Sequence, residues 1–164
     1  MQVTIKFTLG DYDVDTFIRQ LEADIRHAVS QLGDYAQELL EKSIQERLYG
    51  GISGHYATRT IGSAHELEIN GMSFELYMEP SKVAVFGPGP GDFFGYNQSL
   101  DGGDYREQLV HGFDEGGIPA SPYRNYPLPE TAYFTAARKE IETKAVRKLA
   151  SILRGMGYRV SGGS

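Results

Sequence analysis

The chain has 164 residues, 40% of them hydrophobic, a formal net charge of −6 and no cysteine. That length supports one domain with a real core, and the composition excludes a disordered chain, disulfides, thiolate chemistry and Cys-based zinc sites. The charge is uneven: residues 1–137 hold 9 Lys/Arg against 20 Asp/Glu, a net of −11, while residues 138–164 hold 7 against 2, a net of +5.

In chain order, Val3, Ile5, Phe7 and Leu9 alternate with Gln2, Thr4, Lys6 and Thr8, which predicts a half-buried strand. The same alternation replaces the apolar run of a signal peptide, and no run reaches the roughly 18 apolar residues that span a membrane. A cytoplasmic origin is expected. Gly10-Asp11 turns the chain into a long helix over Asp15–Leu48. Its apolar residues recur at Phe17, Leu21, Ile25, Ala28, Val29, Leu32, Ala36, Leu39, Leu40, Ile44 and Leu48, in the steps of three and four that line one helix face. Asp13 or Asp15 is placed to cap its start, and Gly50-Gly51 to stop it. Gly33-Asp34 in the middle predicts a weak or bent turn. One such stripe cannot bury itself, so other segments must pack against it.

The polar stretch Ile52–Ser63 reads as a loop. Glu66–Asn70 and Ser73–Glu79 then alternate around Asn70-Gly71, a strong hairpin signal because both turn positions tolerate positive φ. Pro80-Ser81 predicts a second turn and Lys82–Phe86 a third strand. With the N-terminal strand this makes a small antiparallel sheet of three or four strands against the helices, an α+β fold in a single domain, 1–164. From residue 87 to 127 glycines, prolines, aspartates and aromatics mix without period. This is an extended loop of a length that compact domains usually reserve for function. A second helix is expected over Pro129–Met156, with Pro129 in its first turn and Glu130 at its positive end. Its buried stripe is Ala132, Ala136, Ala137, Ile141, Ala145, Leu149, Ile152 and Leu153, and Gly155 and Gly157 end it. Tyr158-Arg159-Val160 forms a short extension.

No sequence motif points to catalysis, a cofactor or a metal. His27, His55, His65 and His111 make no metal-ligand spacing, and His27 is expected on the exposed side of its helix. Gly87-Pro88-Gly89-Pro90-Gly91 follows a predicted strand but lacks the Lys-Ser/Thr ending of a phosphate loop, and its prolines remove backbone donors. Asp101, Asp104, Asp114 and Glu115 share the long loop as potential calcium ligands, at a spacing that is not an EF-hand's. A hydrolase reading would need His55 or His65 to converge with the loop carboxylates. The acidic body argues against tight wrapping of nucleic acid. The basic C-terminal stretch reads either as a solvated helix face complementing the macrodipole or as a surface facing a partner or DNA.

The order of elements resembles a known family. The long amphipathic helix, the segment Tyr56-Ala57-Thr58-Arg59-Thr60-Ile61-Gly62-Ser63, a few strands, the segment Pro122-Tyr123-Arg124-Asn125-Tyr126-Pro127-Leu128 and a final Ala/Lys/Glu-rich helix are similar in plan to tail-completion, minor-tail and neck proteins of tailed bacteriophages. The resemblance covers roughly residues 15–86 and 120–156. It implies a structural virion protein, made in the host cytoplasm, that joins the portal side of the head to the tail. It further implies a homo-oligomeric ring, sixfold as first expectation and twelvefold as second. Neighbours would be other neck, connector and tail-tube proteins, and genomic DNA would pass through the lumen without specific binding. No catalytic residue is carried over. The loop aromatics read either as packing onto the domain's own surface or as interface anchors, where Tyr and Phe gather; anchors are expected at Phe93, Phe94, Tyr96, Tyr105, Phe113, Tyr123 and Tyr126. Arg59, Arg138, Lys139, Arg147, Lys148 and Arg154 are expected to meet acidic neighbours. The alternative is an accessory or inhibitor protein outside the virion that grips one partner through the 87–127 loop.

Overall fold

A computed structural model describes residues 13–50, 61–83, 105–117 and 129–160. The order is a long helix α1 (Val14–Ser43) continued by a π-helical segment (Ile44–Tyr49), strands β1 (His65–Asn70) and β2 (Ser73–Met78), a short helix α2 (Tyr105–Asp114) and a closing helix α3 (Tyr133–Gly155). The result is mixed helix and sheet, with β1 and β2 paired as one antiparallel hairpin. The expected strand Val3–Leu9 lies outside the described residues.

The start of α1 is set by Asp13, whose carboxylate accepts from the Asp15 amide at 3.2 Å and the Thr16 hydroxyl at 2.6 Å. These bonds satisfy donors that a first turn leaves open and hold the Asp13 carboxyl below its ordinary pKa, the Thr16 hydroxyl chief among the causes. The helix keeps its expected stripe, but its last six residues widen into the π form. The physical reason lies in the spacing. Ala36, Leu40, Ile44 and Leu48 are all fully buried and recur every four residues, so in an α-helix each would drift by about 40° from the last. A wider turn reverses that drift and returns Leu48 to the core side.

Gly33 serves a close approach of the hairpin. A Cβ there would stand 3.3 Å from Leu67 Cδ1 and 3.5 Å from Phe74 Cγ, so the glycine lets the hairpin close onto the helix backbone. The hairpin itself forms as expected, with its turn shifted by one residue. Asn70 closes β1, the loop is Gly71-Met72, and Gly71 alone takes positive φ, at 65°.

Three sequence expectations are corrected. The third strand proposed from Lys82 is not one at its start: Pro80–Lys82 is a 3-10 turn capped by the Glu79 carboxylate, because Pro80 presets a helical φ and removes a ladder donor. Val83 is buried beyond it, and residues 84–86 lie outside the described set. The 87–127 stretch is not loop throughout, since Tyr105–Asp114 is helical. The closing helix also begins four residues later than expected, at Tyr133, leaving Pro129 and Glu130 before it. Its end is a Schellman motif: Tyr158 N donates to Leu153 O at 3.0 Å and Gly157 N to Arg154 O at 3.0 Å, with Gly157 at φ 93°.

The chain divides into two compact units. The first takes the stretch up to Glu38, Leu67–Leu76 and the stretch from Lys139 onward. Its core is built on Ala28, Val29, Leu32, Ala36, Ala150 and Leu153, and it is tied by the Tyr158 hydroxyl donating to Asp24 Oδ2 at 2.5 Å. The second takes Leu39–Glu66 and Tyr77–Arg138. Its core includes Leu40, Ile44, Leu48, Ile61, Phe113 and Tyr133, of which each large side chain contributes about 1.5–3 kcal/mol by leaving water.

Candidate functional site

The densest polar constellation among the described residues lies in the second unit, where α2 ends and α3 begins. The first turn of α3 contains no acidic residue of its own, so its open amides need an acceptor from elsewhere. Asp114, the last residue of α2, supplies it. Its Oδ1 accepts from the Phe134 amide at 2.7 Å and the Thr135 amide at 3.0 Å, and its Oδ2 accepts from the Thr135 hydroxyl at 2.7 Å. Asp114 is only 5% exposed. In return, Thr131 donates its amide at 2.7 Å and its hydroxyl at 2.9 Å to the Phe113 carbonyl at the end of α2. The Tyr133 hydroxyl donates to Val110 O at 3.2 Å, and the buried Ser43 hydroxyl donates to Tyr133 O at 2.6 Å. Ala132, between these anchors, is held at φ 49°, a left-handed conformation that costs an L-residue roughly 1–2 kcal/mol.

Chemically this is a latch. Both Asp114 oxygens are committed to helix amides and a hydroxyl. Burial, then the charge of Asp114, then Tyr49 push the Tyr133 hydroxyl well above the ordinary phenol pKa, so it remains a hydrogen-bond donor. Asp114 therefore holds protein backbone in the place where the sequence suggested a cation ligand.

A second cluster in the same unit surrounds His65. Its Nδ1 lies 2.9 Å from the Gly62 carbonyl, which requires the proton on that nitrogen, and its Nε2 lies 3.4 Å from Glu41 Oε1. Gly62 also packs against Tyr49: an added Cβ would overlap the Tyr49 hydroxyl, and burial raises the pKa of that hydroxyl. Glu66 accepts from the Tyr77 hydroxyl at 2.8 Å and pairs with Lys82. Among the described residues no group of three or more His, Cys, Asp or Glu is placed to hold a metal ion, and no helix is long and apolar enough to cross a membrane.

Of the residues expected at interfaces, Arg59, Phe93, Phe94, Tyr96, Tyr123 and Tyr126 lie outside the described set, as does His55. Tyr105 opens α2. Phe113 is fully buried inside its own unit, so it serves the core of this chain and not its surface. Arg138, Lys139, Arg147 and Arg154 stand exposed along α3, and Lys148 is half-buried with its ammonium 4.7 Å from the centre of the Tyr35 ring. His27 and His111 are exposed. The latch was not visible in the sequence, because Asp114 stands 20 residues from Phe134, and Ser43 stands 90 from Tyr133. No local motif announces a cap donated by another helix.

No protein-family model, curated protein or solved structure matches the chain.

Proposed function

We propose that the chain is a structural virion protein of the tailed-phage neck, a subunit of a homo-oligomeric ring joining head to tail. The observation that supports this reading is the order of elements: a long amphipathic helix, an antiparallel hairpin and a closing helix. That plan is the one on which the resemblance to neck and tail-completion proteins rests. The buried polar groups at the α2–α3 junction fit a scaffold, since they hold backbone in place. The reading brings with it a sheet of three or four strands, of which the hairpin is the described part. Copies placed head to tail close into a ring when the rotation between them closes, with neighbouring neck and tail-tube proteins above and below.

Native mass spectrometry of the purified chain, with imaging of intact particles, tests the reading. A sixfold or twelvefold assembly, or density for this chain between head and tail, supports it. A strict monomer that is absent from particles overturns it and leaves an accessory protein acting on a single partner.

A further inference from the structure

We infer that the exposed cationic face of α3 docks on the acidic side of α1 in a second copy of this chain. The inference rests on the ring reading above and gives that ring an interface.

Lys139, Arg147 and Arg154 are all exposed. Steps of eight and seven residues, at about 100° per residue, bring them within roughly 80° of arc along about 22 Å of helix. Thr143, also exposed, lies within that arc. Glu140, two turns before Arg147, is paired with Lys144 at 2.5 Å. Arg154 donates to the Val160 carbonyl at 3.4 Å. Among the described residues, none of the three cations takes part in an ion pair.

The complement lies on α1 in the same unit. Asp34 and Glu38 are one turn apart, both exposed, and likewise outside any ion pair among the described residues. Like charges at that spacing repel, so a cation set from outside relieves them. Other charges of the chain do find partners at home, as in Lys42 with Glu46, Lys82 with Glu66 and Lys144 with Glu140. Two different patches of opposite sign make a heterologous contact, the kind that repeats from copy to copy until a ring closes. Complementary patches set register and association rate as well as affinity. A polyanion such as DNA fits the same cations less well, because residues 1–137 of each copy bring a net charge of −11 with them.

The test is a charge swap in the full chain, read by sedimentation velocity at low and high salt. One variant carries Lys139→Glu, Arg147→Glu and Arg154→Glu; the other carries Asp34→Lys and Glu38→Lys. All five positions are exposed, so melting curves close to wild type are expected and confirm the fold. Wild-type self-association weakens with salt. Each variant alone associates on the order of tenfold more weakly or worse, and mixing the two restores association. Wild-type association that both variants retain overturns the inference and leaves the ring reading standing. Association lost in each variant and not restored by mixing overturns the pairing of these two faces. A labelled DNA duplex bound by wild type and released by the α3 variant, with self-association unchanged, assigns the face to nucleic acid and overturns the inference. A wild type that is monomeric at every concentration and absent from particles overturns both readings.

Discussion

At the scale of single residues, the latch between α2 and α3 makes the sharpest predictions. Asp114→Ala removes the acceptor of two helix amides and a hydroxyl and should cost about 2 kcal/mol in denaturant unfolding, between the loss of a cap and that of a buried partner. Asp114→Asn should cost less, since asparagine caps about as well as aspartate. Equal losses for the two would count against the capping role. Ala132→Gly should stabilise the protein by about 1 kcal/mol, because φ 49° strains alanine and not glycine. Tyr158 makes a prediction in pH. Burial first, then the hydrogen bond and charge of Asp24, push its hydroxyl up to about 12, against an ordinary phenol near 10. The folded chain therefore holds that proton more tightly than the unfolded chain. The stability it contributes is fully present below about pH 10 and is lost as pH rises toward 12. Tyr158→Phe should flatten that part of the stability–pH curve, and an unchanged slope would show that the Asp24 contact is not formed in solution.

At the scale of elements, what could be read from the sequence follows from how locally each signal is written. The α1 stripe and the hairpin were legible because period and turn residues sit within a few positions of one another. The π-helical end was not, since a four-residue spacing looks like an ordinary helix face until the core it must reach is known. Helix α2 was hidden for another reason. Its apolar residues Leu109, Val110 and Phe113 span little more than one turn, Gly112 interrupts them, and the surrounding glycines and prolines dominate the composition. The start of α3 was misplaced because Pro129 and Glu130 resemble a local N-terminus, whereas the cap comes from Asp114. The cations of α3 were legible as a charge imbalance; which of them stay exposed needed the packing of the helix. A substitution follows from the hairpin packing. Gly33→Val should destabilise by about 1–3 kcal/mol, because its side chain meets Leu67 and Phe74 on a face with no room to spare. Hydrogen exchange should then quicken in β1 and β2 more than in α2, and uniform quickening would argue against a local cause.

At the scale of the whole molecule, the defining contacts are distant in sequence: Tyr158 meets Asp24 across 134 residues and Ser43 meets Tyr133 across 90. Loops of that length must close before their contacts are gained, so folding should be slow for a chain with this much helix, in the range of milliseconds to seconds. Stopped-flow refolding checks this, and a microsecond phase carrying the full amplitude would contradict it. The two units are also interleaved along the chain, the first drawn from three separate stretches and the second from the two between them. No single cut releases either one whole. A truncation, a recombination crossover or a premature stop therefore takes residues from both at once wherever it falls after Leu76 and before Arg138. Exchange of one unit for a foreign one would need several matched junctions. Each unit therefore depends on stretches from both halves of the chain.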